Sequence, residues 1–250
     1  MTGIRRVVAI GASNLTRGFQ TVVSTARTTW GPDVHVVAAL GHGRSYGTRS
    51  AFLGRRLPGV LESGLWQHLE TMPAVPTRTI VTDVGNDILY GFTADRILEW
   101  VDEAVSRLAR ISEDVTVTDL PMDSIRRLSR PKFYAVRSAL APSCRLSFDD
   151  VLSTAERVNS GLEQVAISRR AHLLRLVPSW YGFDPIHIKP SHWQEAWQQI
   201  LGASPPVQRS RTEALRLYAM RPERQWLFGV EQRTTQAGVR LRRGGRVWLY

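Results

Sequence analysis

Five short segments, at residues 6–10, 33–40, 77–84, 115–120 and 173–177, limit what this chain can fold into. Each is rich in valine, isoleucine or leucine, and each stops at a glycine or proline: Gly11, Gly41, Gly85, Pro121 and Pro178. Runs of that length with such stops read as buried strands. Between them the apolar residues recur at helical spacing, through Leu15, Phe19, Val22, Val23 and Ala26, around residues 60–69, and through Ile97, Val101, Val105 and Leu108. A further helix should start at Ser147-Phe148-Asp149-Asp150, whose acids suit a first turn, and run to about Arg169. The last helix should open on Ser191-x-x-Gln194, which resembles a capping box, with Trp193, Trp197, Ile200 and Leu201 as its stripe. Strands alternating with helices predict an α/β fold with a parallel sheet covered on both faces. Residues 121–146 are Arg-, Ser- and Pro-rich and are expected to form a long loop or small cap over one face.

At 250 residues the chain is long enough to bury a core without disulfide staples, and its lone cysteine, Cys144, cannot form an internal disulfide or a thiolate cage. No apolar run is long enough to span a bilayer, and Arg5-Arg6 is followed by too few apolar residues for a secretory leader. A cytoplasmic location is the expectation. The formal charge of +11 is concentrated at the end, where residues 205–250 hold ten arginines against three glutamates. The first 204 residues therefore carry only +4, and the chain divides by composition into residues 1–204 and a basic C-terminal extension, 205–250. Within the extension, Val239 to Arg243, Gly244-Gly245 and Arg246 to Tyr250 predict a two-residue β-hairpin with Leu241 opposite Trp248, Val239 opposite Tyr250 and Arg243 opposite Arg246. Such an end suits a second subunit, an acidic partner or solvent, and a chain cut after Ala203 is expected to keep its chemistry.

In parallel sheets function collects on the loops leaving the carboxyl ends of the strands. Ser13 stands between the first strand and its helix, a position for an N-cap or for a nucleophile whose own N–H helps hold an oxyanion. Asp184-Pro185-Ile186-His187 sets a carboxylate three residues before an imidazole, so that the acid can fix the ring's tautomer and steady its protonated form. In Gly85-Asn86-Asp87 the Asn86 amide is a neutral donor suited to a developing oxyanion, or an Asx turn at a strand exit. Gly43 offers a further bare N–H. His42 beside it is a candidate substrate contact, as is Asp87 beside Asn86, and Trp180 or Tyr181 is a candidate wall of an acyl pocket.

Gly11-Ala12-Ser13, Gly43-Arg44-Ser45, Gly85-Asn86-Asp87 and Asp184-x-x-His187, in that order, resemble the SGNH (GDSL-type) hydrolase superfamily. The resemblance covers most of residues 4–204. It implies a three-layer α/β/α sandwich with a mainly parallel, five-stranded, flavodoxin-like sheet, to which this chain adds its short C-terminal hairpin. It implies a serine esterase acting on a small-molecule ester, with Ser13 as nucleophile, His187 as base, Asp184 as its orienting partner, and Ser13, Gly43 and Asn86 as the oxyanion hole. No metal or cofactor is implied. Two positions depart from the family pattern: Ala12 stands where an aspartate is usual, and Gly85 directly precedes Asn86.

Other readings compete. Gly43-Arg44-Ser45-Tyr46-Gly47 matches the G-x-S-x-G nucleophile elbow of α/β-hydrolases, which makes Ser45 the rival nucleophile. The glycines at 41, 43 and 47 look superficially like a dinucleotide loop, but the first strand's loop lacks the required spacing and no lysine lies near for a P-loop. The charge alone allows a non-catalytic, basic binding protein on the same scaffold, although no nucleic-acid-binding motif accompanies it.

Overall fold

The computed structural model describes residues 5–112, 114–141, 144–203, 211–242 and 244–250. The strands are β1 (Arg6–Ile10), β2 (His35–Ala39), β3 (Ser50–Phe52), β4 (Arg55–Leu57), β5 (Thr77–Val81), β6 (Asp114–Thr118), β7 (His172–Leu174), β8 (Arg224–Leu227), β9 (Val230–Arg233), β10 (Val239–Arg240) and β11 (Arg246–Leu249). The helices are α1 (Ser13–Trp30), α2 (Leu65–Thr71), α3 (Asn86–Leu89), α4 (Ala94–Ala109), α5 (Met122–Arg126), α6 (Arg130–Leu140), α7 (Phe148–Arg169), α8 (Trp193–Leu201) and α9 (Arg211–Tyr218).

The main sheet runs β10-β11-β2-β1-β5-β6-β7, and within it only β10 is antiparallel to its neighbour. All five strands expected from the sequence are among them. Every residue of β1 is buried, because helices cover both faces of the strand. Its side chains alternate as the pleat requires. Val8 and Ile10 join the core under α4 and α7, while Val7 and Ala9 join the core under α1 and α8. On α4 the buried positions Ile97, Trp100, Val101, Ala104, Val105 and Leu108 form one apolar stripe. Gly18 of α1 lets α8 come close, since a Cβ there would lie 1.9 Å from the Trp197 indole nitrogen.

Chain connections diverge on either side of β1: β2 lies to one side and β5 to the other. This is the topological switch point of an open parallel sheet, where the loops after neighbouring strands part and leave a crevice. The loop after β1 carries Ser13, and the loop after β5 carries Asn86.

Helix α7 begins with the expected device: Ser147 Oγ accepts the Asp150 N–H, and Asp150 Oδ2 accepts the Ser147 N–H. Ser191 forms no such box. A 3-10 turn over Pro190–His192 leads into α8, whose N-cap is His192 without a side-chain capping bond. Of the two expectations for the span after Pro121, a long loop or a small cap, the structure has the cap. It folds into α5 and α6, which lie beside α7 and roof a cavity described below.

The C-terminal residues supply part of the main sheet. Val247, Trp248 and Leu249 of β11 pair in parallel with Val36, Val37 and Ala38 of β2, and the Tyr250 N–H donates to the Ala38 carbonyl. The hairpin register differs from the expected one. Val239 pairs with Val247 and Arg240 with Arg246, and the Leu241 N–H closes the turn on the Gly245 carbonyl. The neighbouring strand β2 fixes β11, so that Val247 and Leu249 face one core and Trp248 the other. The expected partner of Arg246, Arg243, lies outside the described residues. A second, antiparallel sheet, β3-β4-β8-β9, joins the segment after Gly47 to the C-terminal region. No helix among the described residues is long and apolar enough to cross a membrane.

Candidate active site

Ser13 opens α1, so its backbone N–H belongs to the first turn and has no partner within the helix. Its Oγ lies 2.9 Å from His187 Nε2, and His187 Nδ1 lies 2.6 Å from Asp184 Oδ2. Ser13 and His187 are 7% and 5% exposed, so the contact is largely shielded from water. Asp184 Oδ1 also accepts the N–H groups of Ile186 and His187, each at 3.2 Å, which pins the carboxylate to the turn that carries the imidazole. Burial pushes the Asp184 carboxyl up, but the His187 bond and charge and the two backbone donors together hold it below the usual range. A hydroxyl, an imidazole and an ionised carboxylate in this connectivity have what general-base activation of a nucleophile needs.

Asp83, which sequence reading passed over, organises the same corner. It takes a left-handed backbone conformation at φ +60°, one of the few residue types to do so readily. From there Oδ2 accepts the N–H groups of Ala12 and Leu15, each at 3.0 Å. A carboxylate thus meets the start of α1 although residue 12 is alanine. Oδ1 accepts Asn14 Nδ2 at 2.8 Å. The same Asn14 amide donates to the Ile186 carbonyl at 2.9 Å and accepts the Ile188 N–H at 2.8 Å, tying the serine's helix to both sides of His187. The only hint in the sequence was a polar residue at a strand exit and another in a first helical turn.

Gly43 and Asn86 line the same cavity as Ser13 and His187. Gly43 sits at φ +63°, and the Tyr90 hydroxyl donates to its carbonyl, so a Cβ there would meet that hydroxyl at 2.9 Å. Asn86 starts the short helix α3. His42 lines this cavity too, with its ring 5.6 Å from the Phe52 ring. Burial, then the charges of Arg17, His187 and Arg55, lower the His42 pKa and favour the neutral imidazole. Arg17, one turn along α1 from Ser13, also lines the cavity and lies 3.9 Å from Asp184 Oδ2.

Three of the other candidates sit behind the site. Asp87 is fully buried and accepts the Tyr46 N–H at 2.9 Å, so it joins the second loop to the third and lines neither cavity at Ser13. Trp180 is enclosed in the core beneath α1 and α8 with its indole N–H on Glu195, because its ring completes that apolar cluster. Its neighbour Tyr181 reaches a cavity wall instead. Ser45 is fully buried, and its Oγ accepts the N–H groups of Gly47 and Thr48. That is the geometry of a turn, with no imidazole in the described contacts of its hydroxyl.

No family model and no curated protein matches the chain. Solved structures do. One superposes on 80% of this chain and 96% of its own with a TM-score of 0.54 at 13% identity. A member of the lipolytic protein G-D-S-L family from Veillonella parvula, 13% identical, superposes on 79% of this chain and 94% of its own with a TM-score of 0.47. The psychrotrophic esterase EstA from Pseudoalteromonas sp., 12% identical, does so on 78% and 94% with a TM-score of 0.44. At these identities the likeness is one of fold. What is shared is an open, mainly parallel α/β sheet, wound 2-1-5-6-7 in this chain, with the four loops singled out in the sequence on the side where its strands end.

Proposed function

We propose that the protein is a serine hydrolase that cleaves a carboxylic ester through an acyl-enzyme. The observation that carries this reading is the continuous path from Ser13 Oγ through His187 to Asp184, at 2.9 and 2.6 Å. His187 takes the Ser13 proton as the oxygen attacks the carbonyl carbon, and Asp184 holds the ring in the required tautomer and stabilises the imidazolium. The charge that forms on the carbonyl oxygen is met by the Ser13 and Gly43 N–H groups and the Asn86 amide. The carbon–oxygen bond then breaks, and His187 returns the proton to the leaving alkoxide. Water, deprotonated by His187, then attacks the acyl-serine, the bond to Ser13 Oγ breaks, and His187 returns the proton to the serine oxygen as the acid leaves. Neutral His42 and the guanidinium of Arg17 face the leaving group.

Kinetics on an activated ester test the reading. Ser13→Ala deletes the attacking oxygen and should lower kcat by about 10³-fold or more, because the three residues act as a unit. Wild-type turnover by the Ser13→Ala protein would remove the proposal.

A further inference from the structure

Ser13 stands where two cavities of different size and polarity meet. Ser13, Asn86, Leu89 and Ile186 line both. The larger one runs from Ser13 between α3, the end of β6, the α5–α6 roof and α7, and its walls include Ile88, Leu120, Ile125, Leu128, Phe133 and Val136. The charged residues along it are turned to protein partners. Asp83 holds the start of α1, Asp119 Oδ1 accepts the Leu176 N–H, and Arg137 Nη1 donates to the Leu146 carbonyl. What remains facing the space is mostly hydrocarbon. The smaller cavity is the more polar of the two, with His187, His42, Arg17 and Tyr90 in its lining beside Phe52 and Leu89.

The position of His187 decides which half of a substrate goes where. The leaving oxygen must receive its proton from the imidazole, so the alcohol half has to lie on the side His187 reaches. His187 lines the smaller, more polar cavity and not the larger, more apolar one. We infer, resting on the ester-hydrolase reading above, that the large cavity under the α5–α6 roof is the acyl site, and that the preferred substrates are esters of an apolar, medium-length acyl chain with a small polar alcohol. The acyl chain stays on Ser13 with its methylenes against Leu128, Phe133 and Val136, while the alcohol departs past His42 and Arg17. Burying one methylene in such a wall is worth roughly a fourfold gain in kcat/KM. Four methylenes therefore give on the order of a hundredfold between an acetate and a hexanoate.

Two isomeric esters separate acyl from alcohol recognition: ethyl hexanoate and hexyl acetate have the same atoms and nearly the same hydrophobicity. The wild-type protein should hydrolyse ethyl hexanoate at least tenfold faster in kcat/KM. Equal rates, or a preference for hexyl acetate, overturn the assignment of the cavities while leaving ester hydrolysis standing. Absence of turnover of either ester, with Ser13 also inert to a fluorophosphonate, removes the ester reading and this inference with it. Val136→Trp, which fills the cavity from its roof, should cut the ratio of ethyl hexanoate to ethyl acetate turnover at least tenfold in protein shown to be folded by circular dichroism. An unchanged ratio in folded Val136→Trp contradicts the inference. The isomer comparison needs no variant, so it decides even if that substitution prevents folding.

Discussion

Asn14 and Asp83 are hydrogen-bonded at 2.8 Å, and through that contact the residue next to the proposed nucleophile is fixed to the strand exit that also leads to Asn86. Asn14 spends its amide on Asp83, Ile186 and Ile188, all buried or half-buried, so aspartate would lose the donor and glutamine would carry both groups one methylene too far out. Asn14→Ala should cost about 1–3 kcal/mol of stability from the groups left unpaired. It should also lower kcat by about ten- to a hundredfold, since a shift of about 1 Å between serine and imidazole is enough for that. Denaturant midpoints and steady-state kinetics on one preparation read both effects. A fall in stability with unchanged kcat would reduce Asn14 to a structural clamp.

Arg44, beside Gly43, is fully buried and donates to the carbonyls of Leu40, Pro58 and Tyr250. Burial pulls its pKa down to about 9, still charged at neutral pH. The last strand therefore braces the loop that carries the proposed oxyanion donor. A chain cut after Ala203 loses β11 from beside β2 and leaves the Arg44 guanidinium without one of its three acceptors. These contacts argue against the sequence expectation that such a chain keeps its chemistry. The truncated protein should melt well below the full chain or fail to fold, as followed by circular dichroism, and full activity in it would show that β11 is dispensable.

Asp87 sets a pH dependence of stability. Burial raises its pKa from 3.8 to about 6, against the opposing pull of the Ser45 hydroxyl and the Tyr46 N–H. The folded state thus binds this proton more tightly than the unfolded one. The resulting stability is present in full below about pH 4 and is lost as the pH rises to about 6. Asp87→Asn should remove this component, so the difference in unfolding free energy between variant and wild type should grow in the variant's favour across that window. A difference that stays constant from pH 4 to 7 would mean that Asp87 is ionised throughout.

Asp184→Asn leaves an amide that no longer fixes the His187 ring as a carboxylate does, and should lower kcat by about 10³- to 10⁴-fold with a smaller change in KM. Ser45→Ala should retain most of the activity, because the Ser45 hydroxyl is occupied by the turn at Gly47 and Thr48. An inactive, folded Ser45→Ala protein would revive the nucleophile-elbow reading.

β1 was legible because a strand buried on both faces reads as a continuous apolar run, as Val7 to Ile10 does, whereas β5 shows as a β-branched segment that is apolar only at Ile80 and Val81. Ser13 and Asn86 were legible because they follow β1 and β5 within a few residues, and His187 because its orienting carboxylate, Asp184, lies on the same short turn. Asp83 was not, because its role depends on a left-handed backbone that aims it at a helix start about seventy residues away. The hairpin register was missed for a similar reason. Local turn signals at Gly244-Gly245 were outweighed by the pairing of β11 with β2, a contact across more than two hundred residues. Trp180 and Trp197 share the core with α1, as the apolar spacing around Trp197 indicated, but nothing local to Trp180 says that Tyr181, and not it, faces the cavity.

The most direct measurement is covalent trapping. Full-length protein treated with a fluorophosphonate, digested and mapped by mass spectrometry should carry one phosphonyl group on Ser13, and labelling should vanish in Ser13→Ala and slow strongly when His187 is replaced by alanine. A label on Ser45, or labelling of Ser13 at the same rate without His187, would contradict the central claim that the Ser13–His187–Asp184 path makes Ser13 the nucleophile.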